Sequence, residues 1–126
     1  MMKLSIIIPV YNSSKILEKL IFEINSNLFD RFEKSYEIIL INDFSKDNSW
    51  EKIKKISKEF NFIKGIDLKY NVGQHGAIFL GLKYSTGSKI IIMDDDLQHP
   101  PQSLIDIYEK LDFYDACYTL YLKRKH

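Results

Sequence analysis

The residues best suited to chemistry in this chain are acids, and they cluster. Asp94, Asp95 and Asp96 stand in a row with Gln98 two residues on, and Asp43 stands in a polar stretch further upstream. Three adjacent carboxylates repel one another, and gathering them raises some of their pKa values unless a cation or a donor compensates. A divalent ion is the simplest compensation. Hard oxygen ligands with no His pair or thiolate point to Mg2+ or Mn2+, which complete their shells with water and substrate phosphates. Taken alone, an acidic triplet is more often a solvated loop, so its place in the fold matters.

The other candidates are single residues. Tyr11, in the run Pro9, Val10, Tyr11, Asn12, offers a ring that could stack on a nucleobase, although plain packing is as common for such a tyrosine. Asp43 could accept hydrogen bonds from a base N–H or ribose hydroxyls. Gly73, Gln74, His75 and Gly76 form a glycine-bearing turn able to present backbone N–H groups to an anion, but the spacing is not GxGxxG and decides nothing alone. His99 beside two prolines is more often a loop former than a ligand or base. His75 stays undecided between capping, phosphate contact and exposure.

Positioning these groups requires a sheet. Apolar runs of strand length alternate with stretches of helical period, the mark of βαβ units on a mostly parallel sheet. Five strands are expected: Leu4 to Pro9, Tyr36 to Ile41, Phe62 to Leu68, Lys89 to Met93 and Asp115 to Tyr121. The first is apolar throughout apart from Ser5, as suits a strand covered on both faces. Between strands, Ile16, Leu17, Leu20, Ile21, Ile24 and Leu28 recur at helical spacing, with Ser13 or Ser14 available as N-cap. Trp50, Ile53, Ser57 and Phe60 mark a second helical face, and Ala77, Leu80, Gly81 and Tyr84 a third. Gly81 costs about 1 kcal/mol relative to Ala inside a helix, so close contact with the sheet is expected there. A last helix runs through Leu111, its first turn suited to Pro100 and Pro101. The expected architecture is α/β, a Rossmann-like three-layer α/β/α domain, with the acids of Asp43 and of Asp94 to Asp96 at the carboxyl edge where such sheets bind ligands.

Composition fits one globular domain and excludes several classes. The 126 residues are 45% hydrophobic and 28% charged, which argues against disorder or a disulfide scaffold. Lys and Arg total 18 against 17 acids, so no basic excess favours nucleic acid. The basic end Lys123, Arg124, Lys125, His126 reads as a solvated tail. Cys117 is the single cysteine, which rules out an internal disulfide or a thiolate zinc cluster and leaves it a small hydrophobe. No apolar run approaches the roughly 18 residues of a membrane span, and the chain reads as cytoplasmic.

In order and spacing, SIIIPVYNSS, EIILINDFSKDNSWE, NVGQHGAIFLGLKYSTG and IIIMDDDLQHPP resemble the family 2 glycosyltransferases of GT-A fold, from Leu4 to about Tyr121. GQHGA with DDDLQHPP looks most like the branch that moves a sugar from a nucleotide onto a polyprenyl phosphate, the dolichyl-phosphate mannose synthases and undecaprenyl-phosphate glycosyltransferases of cell-envelope glycan synthesis. The resemblance implies that Pro9, Tyr11, Asn12, Asp43, Gln74, Asp94 and Asp95 contact a UDP- or GDP-linked sugar, and that Asp96 and Gln98 ligate Mg2+ or Mn2+. Asp94 and Asp96 are then the catalytic acids of an inverting transfer. It also implies a polyprenyl-phosphate acceptor at the inner face of a membrane, and it allows a homo-oligomer. Two positions depart from the pattern: Ser13 and Ser14 stand where Glu is usual, and Phe44 where Gly is frequent. Family catalytic domains run to about twice this length, so the expectation is an N-terminal half ending before the acceptor site. Two other readings compete. One is the same nucleotide-sugar site without turnover. The other is a signalling receiver domain, whose acids belong after the first and third strands, where this chain has ProValTyrAsn and Leu68, Lys69, Tyr70.

Overall fold

The computed structural model describes residues 1–96 and 103–112. Four strands and four helices alternate: β1 (Leu4–Val10), α1 (Leu17–Phe32), β2 (Tyr36–Asn42), α2 (Ser49–Glu59), β3 (Ile63–Asp67), α3 (Gly73–Tyr84), β4 (Lys89–Ile92) and α4 (Leu104–Lys110). The strands form one parallel sheet in the order β3-β2-β1-β4. The chain therefore winds outward from β1 to β3 and then crosses back to lay β4 on the other side of β1. The receiver-type order, 2-1-3-4-5, is a different sheet. The expected fifth strand, Asp115 to Tyr121, lies outside the described residues.

The strands are buried on both faces because their side chains alternate between two helical layers. Ile6, Ile8, Ile38 and Leu40 pack with Leu17, Leu20, Ile24 and Leu28 of α1 and with Ile53 and Ile56 of α2. The intervening Ile7, Ile39 and Ile41 pack with Ala77 of α3 on the other side. Each such side chain contributes about 1.5–3 kcal/mol through burial. This is the three-layer α/β/α arrangement that unbroken apolar strands require.

The helices differ from expectation at their ends. Neither Ser13 nor Ser14 caps α1 by its side chain: the helix starts at Leu17 after Ile16, and the Ser13 carbonyl accepts the N–H groups of Ile16 at 3.1 Å and Leu17 at 3.2 Å. In α2 the buried positions are Ser49, Ile53 and Ile56, and Phe60 falls just past the helix. In α3 Ala77 and Gly81 are buried as expected, while Leu80 is half-buried and the Tyr84 ring is exposed in the last turn. A Cβ on Gly81 would lie 2.5 Å from Ile7 Cγ2 and 3.0 Å from Ile41 Cδ1, so glycine lets α3 sit directly on the sheet.

Candidate functional site

The turn in winding direction between β1 and β4 opens a crevice at the carboxyl ends of the strands, where ligands bind in open α/β sheets. A cleft of about 450 Å3 lies there. Pro9, Val10 and Tyr11 of the β1 end line it together with Asp43 after β2, Asn71, Gly73 and Gln74 at the start of α3, and Asp94, Asp95 and Asp96 after β4. Residues from four separate stretches thus meet in one place. A larger hollow of about 610 Å3 lies at the amino ends of the strands around Lys3, Arg31 and Lys34. The smaller cleft is the candidate because it combines the switch point with the acids.

Backbone register explains the convergence. Val10 pairs with Asn42, and the Asp43 N–H donates to the Val10 carbonyl at 2.9 Å, so β1 and β2 end level. The Met93 N–H donates to the Ile7 carbonyl at 3.0 Å and carries the chain from β4 to the acidic segment. Asp43 is buried, and its Oδ1 accepts the Val72 N–H at 2.8 Å while Asn71 Nδ2 approaches the Asp43 carbonyl at 3.4 Å. Gly73 opens α3 with φ +83°, a conformation costly for any residue with a Cβ. Gly73 and Gln74 line the cleft, so the N-terminus of α3 faces it, and its partial positive charge suits an anion.

The three acids differ in their surroundings. Asp94 Oδ1 accepts Gln74 Nε2 at 2.9 Å, which joins the first turn of α3 to the β4 end. Asp95 Oδ2 accepts the Tyr11 N–H at 3.1 Å and the Ser13 hydroxyl. Burial pushes the Asp95 carboxyl above the usual aspartate range; the bonds from Ser13 and Tyr11 oppose that shift, and repulsion from Asp96 adds to it. Asp96 is exposed at the cleft.

The remaining predicted residues divide. Tyr11 and Pro9 line the cleft, and Tyr11 is 45% exposed. Asn12 does not line it: at φ +53° its Oδ1 accepts the Lys46 N–H at 2.8 Å and its own N–H donates to Ser45 Oγ at 3.0 Å. Its side chain ties the loop after β1 to the loop after β2. His75 is exposed on α3 and not part of the cleft lining. Gln98 and His99 lie outside the described residues. Sequence reasoning reads Asn71 as part of the turn into α3 but missed its place in the cleft, and it missed the bonding role of Ser13. Nothing in sequence joined Ser13 to an acid 82 positions away.

A sequence profile for glycosyl transferase family 2 matches residues 5–125. The chain belongs to that family. An uncharacterized glycosyltransferase, YkcC of Bacillus subtilis (strain 168), is 34% identical over 122 residues, which cover 96% of this chain and 38% of the relative. Among solved structures, S. aureus TarS 1–349 superposes with TM-score 0.73 at 25% identity over 90% of this chain and 33% of its own. The mannosyltransferase PcManGT from Pyrobaculum calidifontis, in complex with GDP-Man and Mn2+, superposes with TM-score 0.75 at 19% identity over 86% and 32%. The chain thus spans about a third of the length of these proteins and shares the fold of the two solved ones.

The donor set can be tested against the cation expected for this family. Among the described residues no three His, Cys, Asp or Glu groups converge into a closed metal cage. A hard cation such as Mg2+ or Mn2+ does not ask for one, since it takes one or two carboxylates and fills its shell with water and phosphate oxygens. Asp96, exposed beside the cleft with Asp94 two residues away, fits that demand, and among the described residues the lining holds oxygen donors and no histidine or thiolate, as a hard cation prefers.

Proposed function

We propose that this chain binds a UDP- or GDP-linked sugar with Mg2+ or Mn2+ in the cleft between β1 and β4, as the donor site of an inverting glycosyltransferase acting on a polyprenyl phosphate. The observation that carries the reading is the meeting of Tyr11, Asp43, Gln74 and Asp94 to Asp96 around one cleft at the switch point. TarS 1–349, 25% identical, was crystallised in complex with UDP-GlcNAc, and a nucleotide-diphosphate-sugar of that class suits this lining.

The residues divide the task by chemistry. The exposed Tyr11 offers its ring to the base, and Asp43, fixed by the Val72 N–H, presents its second oxygen to base or ribose donors. The N-terminus of α3 and Gln74 face the diphosphate. Asp96, with Gln98, would hold the cation, and Asp94 would contact ribose or sugar. The bound cation would supply charge neutralisation of the departing diphosphate. A lipid phosphate is already anionic at pH 7, so attack on the anomeric carbon needs no strong general base. We place the reaction at the inner face of a membrane, where a polyprenyl phosphate presents its headgroup; no described helix is long and apolar enough to cross a membrane.

Calorimetric titration with UDP and GDP, with and without Mn2+, tests the reading on wild type and Asp96→Ala. Binding should require Mn2+ and fall at least about tenfold in Asp96→Ala, the loss of one charged contact. Metal-independent binding, or an Asp96→Ala protein that binds like wild type, would overturn it. Incubation with a nucleotide-sugar and polyprenyl phosphate separates transfer from binding without turnover: transfer releases the nucleotide diphosphate and leaves the sugar on the lipid phosphate.

A further inference from the structure

The middle acid of the triplet is bonded to the loop that follows β1. Asp95 Oδ2 accepts two donors, the Tyr11 N–H at 3.1 Å and the Ser13 hydroxyl, from a loop more than 80 residues earlier in the chain. Ser13 Oγ also lies 3.1 Å from the Tyr11 carbonyl. A hydroxyl has one proton to give, and the carboxylate is the stronger acceptor. The loop is held from its other side as well. The Ser13 N–H donates to Ser49 Oγ at 3.0 Å, Ser49 Oγ donates to Asp47 Oδ1 at 2.6 Å, and Asp47 Oδ2 accepts the Ser14 N–H at 3.2 Å. With the α2 end secured, Asp95 supplies a contact across the open side of the crevice, between the loop after β1 and the segment after β4.

We infer that Asp95 is a positioning residue: it latches the acidic segment to the Tyr11–Ser13 loop, holding the Tyr11 ring and the carboxylates of Asp94 and Asp96 around the same ligand. The inference rests on the nucleotide-binding reading above and assigns Asp95 a role other than direct contact with the nucleotide. A latch needs an acceptor oxygen; a direct ligand of a cation needs charge. Asn and Asp differ in the second property and share the first.

Amide hydrogen exchange at Tyr11 reads the latch itself, and titration with UDP and GDP in the presence of Mn2+ reads its consequence, on wild type, Asp95→Asn, Asp95→Ala and Ser13→Ala. The Tyr11 amide should be protected in wild type and Asp95→Asn and should exchange about tenfold faster in Asp95→Ala. Nucleotide affinity should follow the same order, with Asp95→Asn within about threefold of wild type, Asp95→Ala about tenfold weaker and Ser13→Ala between them. Unchanged thermal unfolding in Asp95→Ala would show that the loss is local. Equal losses of affinity in Asp95→Asn and Asp95→Ala would overturn the inference in favour of a charged ligand, and so would a Tyr11 amide indifferent to both. If wild type binds neither nucleotide, the functional reading fails; the exchange data then judge the latch alone.

Discussion

Phe44 carries a conformation that its side chain does not favour. Its φ of +56° lies in the left-handed region, where a bulky residue is an outlier, and the residue is 52% exposed, so burial returns little for the strain. The turn it makes follows Asp43 directly, at the carboxyl end of β2. Relief of the strain is worth about 1 kcal/mol, partly offset by the greater freedom glycine gives the unfolded chain. Phe44→Gly should therefore gain about 0.5 kcal/mol, and Phe44→Val, β-branched at the same φ, should lose about 1 kcal/mol; thermal unfolding of the two variants checks the sign. The family pattern of glycine here has a physical basis in that angle, which the sequence recorded only as a departure.

At the scale of elements, α3 decides the site. It rests on Ile7 and Ile41 through Gly81 and ends toward the cleft with Gly73 and Gln74. Gly81→Ala would improve helix propensity by about 1 kcal/mol. The added methyl, however, would sit 2.5 Å from Cγ2 of a fully buried, β-branched isoleucine that has little room to turn. Overpacking of this kind costs about 1–3 kcal/mol, so the net expectation is a loss of about 1 kcal/mol in denaturant unfolding together with weaker nucleotide binding as Gln74 moves off Asp94. A more stable Gly81→Ala protein would show that α3 sits more loosely than its contacts indicate. The sequence predicted both the helix and the close approach, from a glycine where only packing could justify one.

The whole molecule is also tied at the end of the sheet away from the cleft. Glu37, on β2 and 1% exposed, accepts the Ser5 hydroxyl at 2.5 Å, the Thr86 N–H at 2.7 Å and the Thr86 hydroxyl at 2.9 Å, all on Oε2. Lys64 Nζ lies 2.7 Å from Oε1 as an ion pair, although no aligned hydrogen bond reaches that oxygen. Burial raises the carboxyl's pKa, but Lys64, Ser5 and Thr86 together outweigh it, and the net direction is down. A folded-state pKa below the unfolded value of about 4.3 stabilises the protein above that pH, and the stabilisation is lost as pH falls through the folded value. Glu37→Gln should be less stable than wild type by about 1–3 kcal/mol at pH 7, with the gap closing below about pH 4. Denaturant unfolding from pH 7 down to pH 3 measures it; a gap that does not narrow as pH falls would mean that the hydrogen-bonding pattern, not the charge, is what β2 needs there.

The sequence by itself determined the alternation of strands and helices, since apolar runs and helical periods follow from burial on two faces, and it singled out Asp43 and Asp94 to Asp96 because clustered charge is conspicuous in any order. It predicted their shared edge through the rule for parallel sheets. The tertiary structure decided which strand lies beside which: the order β3-β2-β1-β4 places the acidic segment next to Tyr11. It also turned Asn12 toward Lys46 and gave Ser13 to Asp95 instead of to its own helix. Hydrogen bonds between loops leave no periodicity in sequence, because each depends on two backbones brought together by a sheet that neither loop encodes.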